Sequence, residues 1–283
     1  MAEYVVKRKV YNLKLSISLL LLFLLYSCSS VNQSKLVYDN LGKNAISYYY
    51  SAEEFRLRGE YKNAITLYDR AGSLYISKLA YHDFTLTQLK KALVLITLNK
   101  TISAEKIIDQ ATFWQKVFYL NTEKEIKGVK AKLLLAQGKT NEATEQIKEL
   151  IVQYDSNLLL KTYYQALLLE SAQEQSIEAI QEITATFNTL FEKYQDKGTD
   201  NPDALVYIGK SLLSNQKDFS KTLLKKMESL SRELEIPTLS LFLIEYYQKY
   251  APEDEKSYFE YLIEEIKQKE VTSLTDKQSK GLL

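Results

Sequence analysis

The chain has 283 residues, of which 46% are hydrophobic, with 3 Pro, 8 Gly and a formal net charge of +1. Its length allows one or two domains, and the scarcity of helix breakers leaves long segments rich in Leu, Ile, Lys, Glu, Gln and Ala, which predicts helix throughout. Charge is spread without blocks, so no nucleic-acid footprint is visible, and the single Cys excludes a disulfide within the chain.

Residues 1–27 read as a secretory signal. Lys7, Arg8, Lys9 and Lys14 make a basic start, an apolar run follows from about Ile17 to Tyr26, and small residues close it. The run is short for a bilayer span, which takes about 20 apolar residues. Leu25-Tyr26-Ser27-Cys28 resembles the lipobox of bacterial lipoproteins. That resemblance implies diacylation of the Cys28 thiol and a mature chain that begins there, held in the cell envelope by its lipid, since several acyl chains anchor firmly where one is marginal. Ser29 in place of Asp then favours the outer membrane. Loss of the leader removes the four basic residues above and Glu3, turning +1 into −2. Residues 28–35 read as a tether, and the helical signal begins near Leu36.

Within Ala45 to Lys78, apolar and small residues recur at intervals suited to two antiparallel helices. Tyr48, Ala52 and Phe55 mark the first helix, over Asn40 to Gly59, and Tyr61, Ala64, Tyr68 and Ala71 mark the second, over Tyr61 to Ser77. Ala at helical spacing offers a hole for a side chain of the partner helix at an interaxial distance of about 8–10 Å. Gly59 supplies a residue free to take positive φ between them. This pattern resembles the tetratricopeptide repeat, a hairpin of about 34 residues, with Ser51 and Ile76 departing from the family's Leu and Pro. A short spacer that includes His82 follows. Ala92, Leu95, Asn99, Ala104, Ile108 and Ala111 then occupy the slots of Ala52, Phe55, Gly59, Ala64, Tyr68 and Ala71, and Ala131, Leu134, Gly138, Ala143, Ile147 and Leu150 occupy them again.

Beyond Tyr154 the motif fades while helicity persists. Leu158 to Ala172 and Ser176 to Tyr194 form a fourth pair, with Ala166 and Ala179 as small positions, and Gln195 to Asn201 is a loop. Pro202 opens the next helix. Ala204 to Leu213 and Phe219 to Leu234 follow, then Leu239 to Tyr250 and Glu253 to Lys269. The helical domain therefore spans 36–270, with a polar tail over 271–283. The expected fold is all-α, and the repeat resemblance implies a right-handed superhelix of antiparallel helix pairs.

No catalytic constellation, metal-ligand spacing or phosphate-cradling Gly loop is present, so neither enzyme activity nor a cofactor is expected. His82, the only His, reads as an ordinary loop or helix-end residue. Tyr is abundant at 22 residues, and Tyr48, Tyr49 and Tyr50 in one helix cannot all face a single core. In the repeat family, ligand contacts come from first-helix positions on the concave face. Carried onto this sequence, the resemblance implies a groove of Ile46, Tyr49, Glu53 and Arg56, then Leu86, Leu89, Leu93 and Ile96, then Glu125, Gly128, Lys132 and Leu135. The competing reading has these residues covered by a neighbouring helix or by the C-terminal helices. Because the rows lack the Lys and Asn of members that clamp a peptide carboxylate, the expected partner is an apolar protein or peptide segment, with the membrane held through the lipid. The expected role is a non-enzymatic interaction scaffold. Two rivals share the fold: a resemblance to accessory lipoproteins of periplasmic substrate-binding transporters, and one to the outer-membrane assembly lipoprotein of this repeat class.

Overall fold

The alanine slots set how closely the helices approach. In the computed structural model, which describes residues 41–171, 176–199, 201–215 and 220–252, Ala52, Ala64, Ala92, Ala104, Ala131 and Ala143 are all 0% exposed. Helices follow one another without a strand among the described residues: α1 over 41–57, α2 Tyr61–Ser77, α3 Tyr81–Thr97, α4 Thr101–Phe118, α5 Glu123–Ala136 and α6 Thr140–Gln153. Then come α7 Leu158–Ser171, α8 Ile177–Lys197, α9 Pro202–Asn215, α10 Lys221–Glu233 and α11 Pro237–Tyr250. The proposed leader, Cys28, the tether, the helix expected over 253–269 and the polar tail lie outside the described residues.

One turn recurs at the three Gly or Asn slots. The amide after the slot bonds the carbonyl five residues back: Glu60 to Phe55 at 2.9 Å, Lys100 to Leu95 at 2.8 Å and Lys139 to Leu134 at 2.9 Å. Gly59, Asn99 and Gly138 sit at φ 78°, 56° and 73°, the left-handed cap that satisfies otherwise orphaned helix carbonyls. The expected spacer before the second unit is shorter than the sequence suggested. Its residues lengthen α3, which starts at Tyr81 and takes in His82, while α2 ends at Ser77 where the sequence places it. Further along, Ser176 and Ser220 cap α8 and α10 by accepting from the amides of Ala179 and Leu223, and Pro237 starts α11 where a missing N–H costs nothing.

Consecutive helices pack in sequence, with α3 also against α5 and α7 against α9. The core is accordingly a chain of clusters. Ala52, Ala64, Tyr68 and Val94 make the first. Leu89, Ala104, Ile108 and Leu133 belong to the second, Ala131, Ile147, Leu150 and Leu167 to the third, and Phe187, Leu212, Met227 and Leu243 to the largest. Leu57 of α1 packs against that last cluster, and the Thr238 hydroxyl of α11 donates to the Leu57 carbonyl at 3.0 Å. The helix row thus bends until its beginning touches its end.

Two substitutions separate packing from backbone. Ala131→Leu should cost about 1–3 kcal/mol through overpacking. Gly138→Ala, whose new methyl would meet nothing within 4 Å, should cost about 1–2 kcal/mol through the left-handed backbone alone. Urea unfolding of both variants against the parent checks the pair.

Candidate functional site

The bend brings one row of helices, α1, α3, α5, α7 and α9, to face inward, and its polar side chains fall into two groups. The first joins four helices. Arg56 donates through Nη2 to Glu53 Oε2 at 2.9 Å and pairs with Asp203 of α9. Lys90 of α3 lies 3.5 Å from Glu53 and 3.9 Å from Asp203, while the Tyr68 hydroxyl donates to the other Glu53 oxygen. Burial alone would raise the Glu53 carboxyl, but Lys90 and Arg56, with the Tyr68 hydrogen bond, outweigh it and hold the group below the ordinary carboxylate range. Burial, reinforced by the Glu53 charge and opposed by Arg56, keeps the Tyr49 phenol protonated well above its usual range.

The second group is built around Lys132 of α5. Its ammonium stands 5.1 Å from the Tyr163 ring centroid and 4.4 Å from that of Tyr207, and those rings are 4.8 Å apart. Tyr207 donates its hydroxyl to Glu170. Lys132 keeps part of its surface accessible, yet loss of hydration pushes its pKa down to about 8 against the opposing pull of Glu170 and Asp203. Among the described residues its ammonium makes no hydrogen bond or ion pair. It is a cation held by ring faces, an interaction worth about 2 kcal/mol or more when desolvated. Close by on α9, Lys210 is likewise lowered by burial and lies 4.6 Å from the Phe242 ring of α11.

The groove residues read from the sequence separate in this frame. Tyr49, Glu53, Arg56 and Lys132 are inward, but the C-terminal half answers two of them, Arg56 through Asp203 and Lys132 through Tyr163 and Tyr207. Leu135 is half-buried against the third cluster, which also takes in Tyr163 and Tyr207. Leu86, Leu93 and Ile96 are half-buried against the second. Leu89 is 3% exposed and belongs to the core, because α5 packs directly over α3 there. Gly128 is buried beneath Tyr164, whose hydroxyl would sit 2.3 Å from an added methyl. Ile46 is 49% exposed, and Glu125 is exposed. Cys28 lies outside the described residues. Lys90, Tyr163, Asp203, Tyr207 and Lys210 were not read from the sequence. Tyr163 left a signal, since it precedes Ala166 as Tyr49 precedes Ala52. Among the described residues no group of three or more His, Cys, Asp or Glu could hold a metal ion.

The Glu53 tie predicts an acid-side effect with a definite sign. Its contribution is full above the unfolded carboxylate value of about 4.3 and is lost as pH falls through the lower folded value. Arg56→Met should remove about 1–3 kcal/mol at neutral pH, because it leaves two part-buried carboxylates to share Lys90. It should also flatten the acid-side loss, as seen in urea midpoints measured across pH.

No protein-family model matches the chain, and no curated protein matches it significantly.

Proposed function

We propose that this chain is a bacterial envelope lipoprotein, anchored through Cys28, whose described helices form a tetratricopeptide-like superhelix that serves as a non-enzymatic binding module. The observation that carries the reading is the Lys132 ammonium, kept deep on the inward face between Tyr163 and Tyr207 without an ion-pair partner among the described residues. A desolvated cation compensated by ring faces alone costs stability that an apolar side chain of similar size would not. A ligand supplies the missing compensation. The bound group is a segment with apolar surface for the rings and an anionic or carbonyl oxygen for the ammonium. Binding beside α1 is narrowed by Asp203, so the ligand contacts α5, α7 and α9.

The transporter-accessory reading gains from one feature, the three inward tyrosines Tyr49, Tyr163 and Tyr207, which suit a passage for a small molecule. The two readings differ in what they capture. Photocrosslinking residues placed at 49 and 163 in living cells should yield a repeated protein adduct in the scaffold reading. In the accessory reading they should yield none, and native mass spectrometry should show a small-molecule mass instead. Neither adduct nor mass would remove both.

Lys132→Met should abolish capture while leaving stability at neutral pH equal or higher. Since the folded pKa is depressed, the wild type carries its full burial cost below about 8. It should regain stability relative to the variant as pH rises from there toward the unfolded value of about 10.4, a window that thermal melts in buffers across it would resolve.

A further inference from the structure

An aromatic cluster lies at the edge where α1 begins. Tyr81, the first residue of α3, stacks 3.9 Å from Phe118 at 12° and 5.4 Å from Trp114 at 23°, and Trp114 stacks 5.2 Å from Phe118 at 15°. Phe84 and Phe113 meet the Trp114 ring edgewise. Much of this cluster faces outward: Phe113 is 61% exposed, Val117 47%, Tyr119 93% and the neighbouring Leu79 67%. So much large apolar surface in one place marks an interaction site.

The backbone adds an independent observation. Leu79 and Tyr119 are both held at positive φ, 58° and 52°, where each costs about 1–2 kcal/mol that Gly would not. These bulky residues occupy helix-ending turns that select for Gly elsewhere in the same chain, and both are turned outward.

What covers this surface is indicated by where the chain leaves it. The start of α1 lies against the end of α2, since a methyl on Gly42 would meet Lys78 Nζ at 2.4 Å. The end of α2 leads through Leu79 to Tyr81 of the stack. Residues 29–40 connect this edge to Cys28, a path of no more than about 40 Å even fully extended. Lys43 and Lys116, both exposed, stand on the same edge with the acid Asp83. Trp, Tyr and Phe beside exposed lysines are the side chains that settle at the boundary between headgroups and acyl chains.

We propose that the edge formed by Leu79, Tyr81, Phe113, Trp114, Phe118 and Tyr119 is a second membrane contact, which seats the helical body on the lipid surface that holds its amino terminus. The choice of a membrane as occupant rests on the lipoprotein reading above. The acyl chains hold the amino terminus firmly, and a second contact orients the helical body against the same surface.

Trp114 is the only Trp in the sequence, so its fluorescence reports this edge alone. The full chain purified from envelope and reconstituted into vesicles of phosphatidylethanolamine and phosphatidylglycerol should lose Trp114 emission when the acyl chains carry bromine. The paired substitution Phe113→Ser and Tyr119→Ser, confined to exposed side chains and checked for unchanged helicity, should restore it. Emission insensitive to bromine overturns the proposal. So does a change that follows protein concentration and not bromine, since that marks contact between chains. The acyl mass on the Cys28 peptide of the same preparation is read separately. Its absence would remove the lipoprotein reading, while quenching in that preparation would still support the lipid contact and no quenching would overturn it.

Discussion

The structure depends on how near two helices can come where each presents a methyl group. At Ala52, Ala92 and Ala131 in one row, and Ala64, Ala104 and Ala143 in the other, side chains are small enough to vanish completely from solvent, so the helices that carry them pack closely. A larger residue at any of these points would wedge one pair apart and alter every later position. The bend of the helix row decides what meets across the inner face. Arg56 reaches Asp203, 147 residues away in sequence, because the intervening helices are packed tightly enough to return the chain to its start.

Closure has an electrostatic cost, and the two inward groups meet it differently. Two cations and a phenol surround the Glu53 carboxylate closely enough that pairing outweighs desolvation, and the group behaves as a clasp between α1, α3 and α9. Around Lys132 the nearest partners are ring faces, and the carboxylates of Glu170 and Asp203 pull on it without touching it. The chain could have completed this second group as it completed the first. That it leaves a desolvated cation against ring faces sets this region apart from the one that ties α1 and α3 to α9.

Legibility from sequence followed the same division. The first three hairpins could be read because their small residues and turn residues repeat in register, and each slot has one physical job. Tyr48, Tyr49 and Tyr50 illustrate how far such reasoning reaches. They were required to diverge, and they do: Tyr48 lies beneath Arg70 at 5.9 Å, Tyr49 meets Tyr68, and Tyr50 is 68% exposed. The C-terminal helices kept their type but lost their register, because their core uses Phe187, Met227 and Leu243 at irregular spacing, so no slot identified Asp203 or Tyr207 as inward. Pairing across the closed face is non-local, and local periodicity carries no information about it. Leu89 shows the opposite error: its slot matches Tyr49, yet the direct contact of α3 with α5 turns it into core.

The turns sharpen the distinction between residues kept for the fold and residues kept for something else. Within hairpins the left-handed position is filled by Gly59, Asn99 and Gly138, the residue types that tolerate it at least cost. Between hairpins the same conformation is imposed on Leu79 and Tyr119, although nothing in the hydrogen-bond pattern differs at Leu79, where Ala80 bonds back to Tyr75 at 2.9 Å just as Glu60 does to Phe55. Identical geometry with unequal side chains means that backbone demands did not select the larger ones. Those side chains also bury little, so the core did not select them either. What remains at Leu79 and Tyr119 is their outward apolar surface, since the same left-handed conformation at Glu235 is filled by an exposed polar residue.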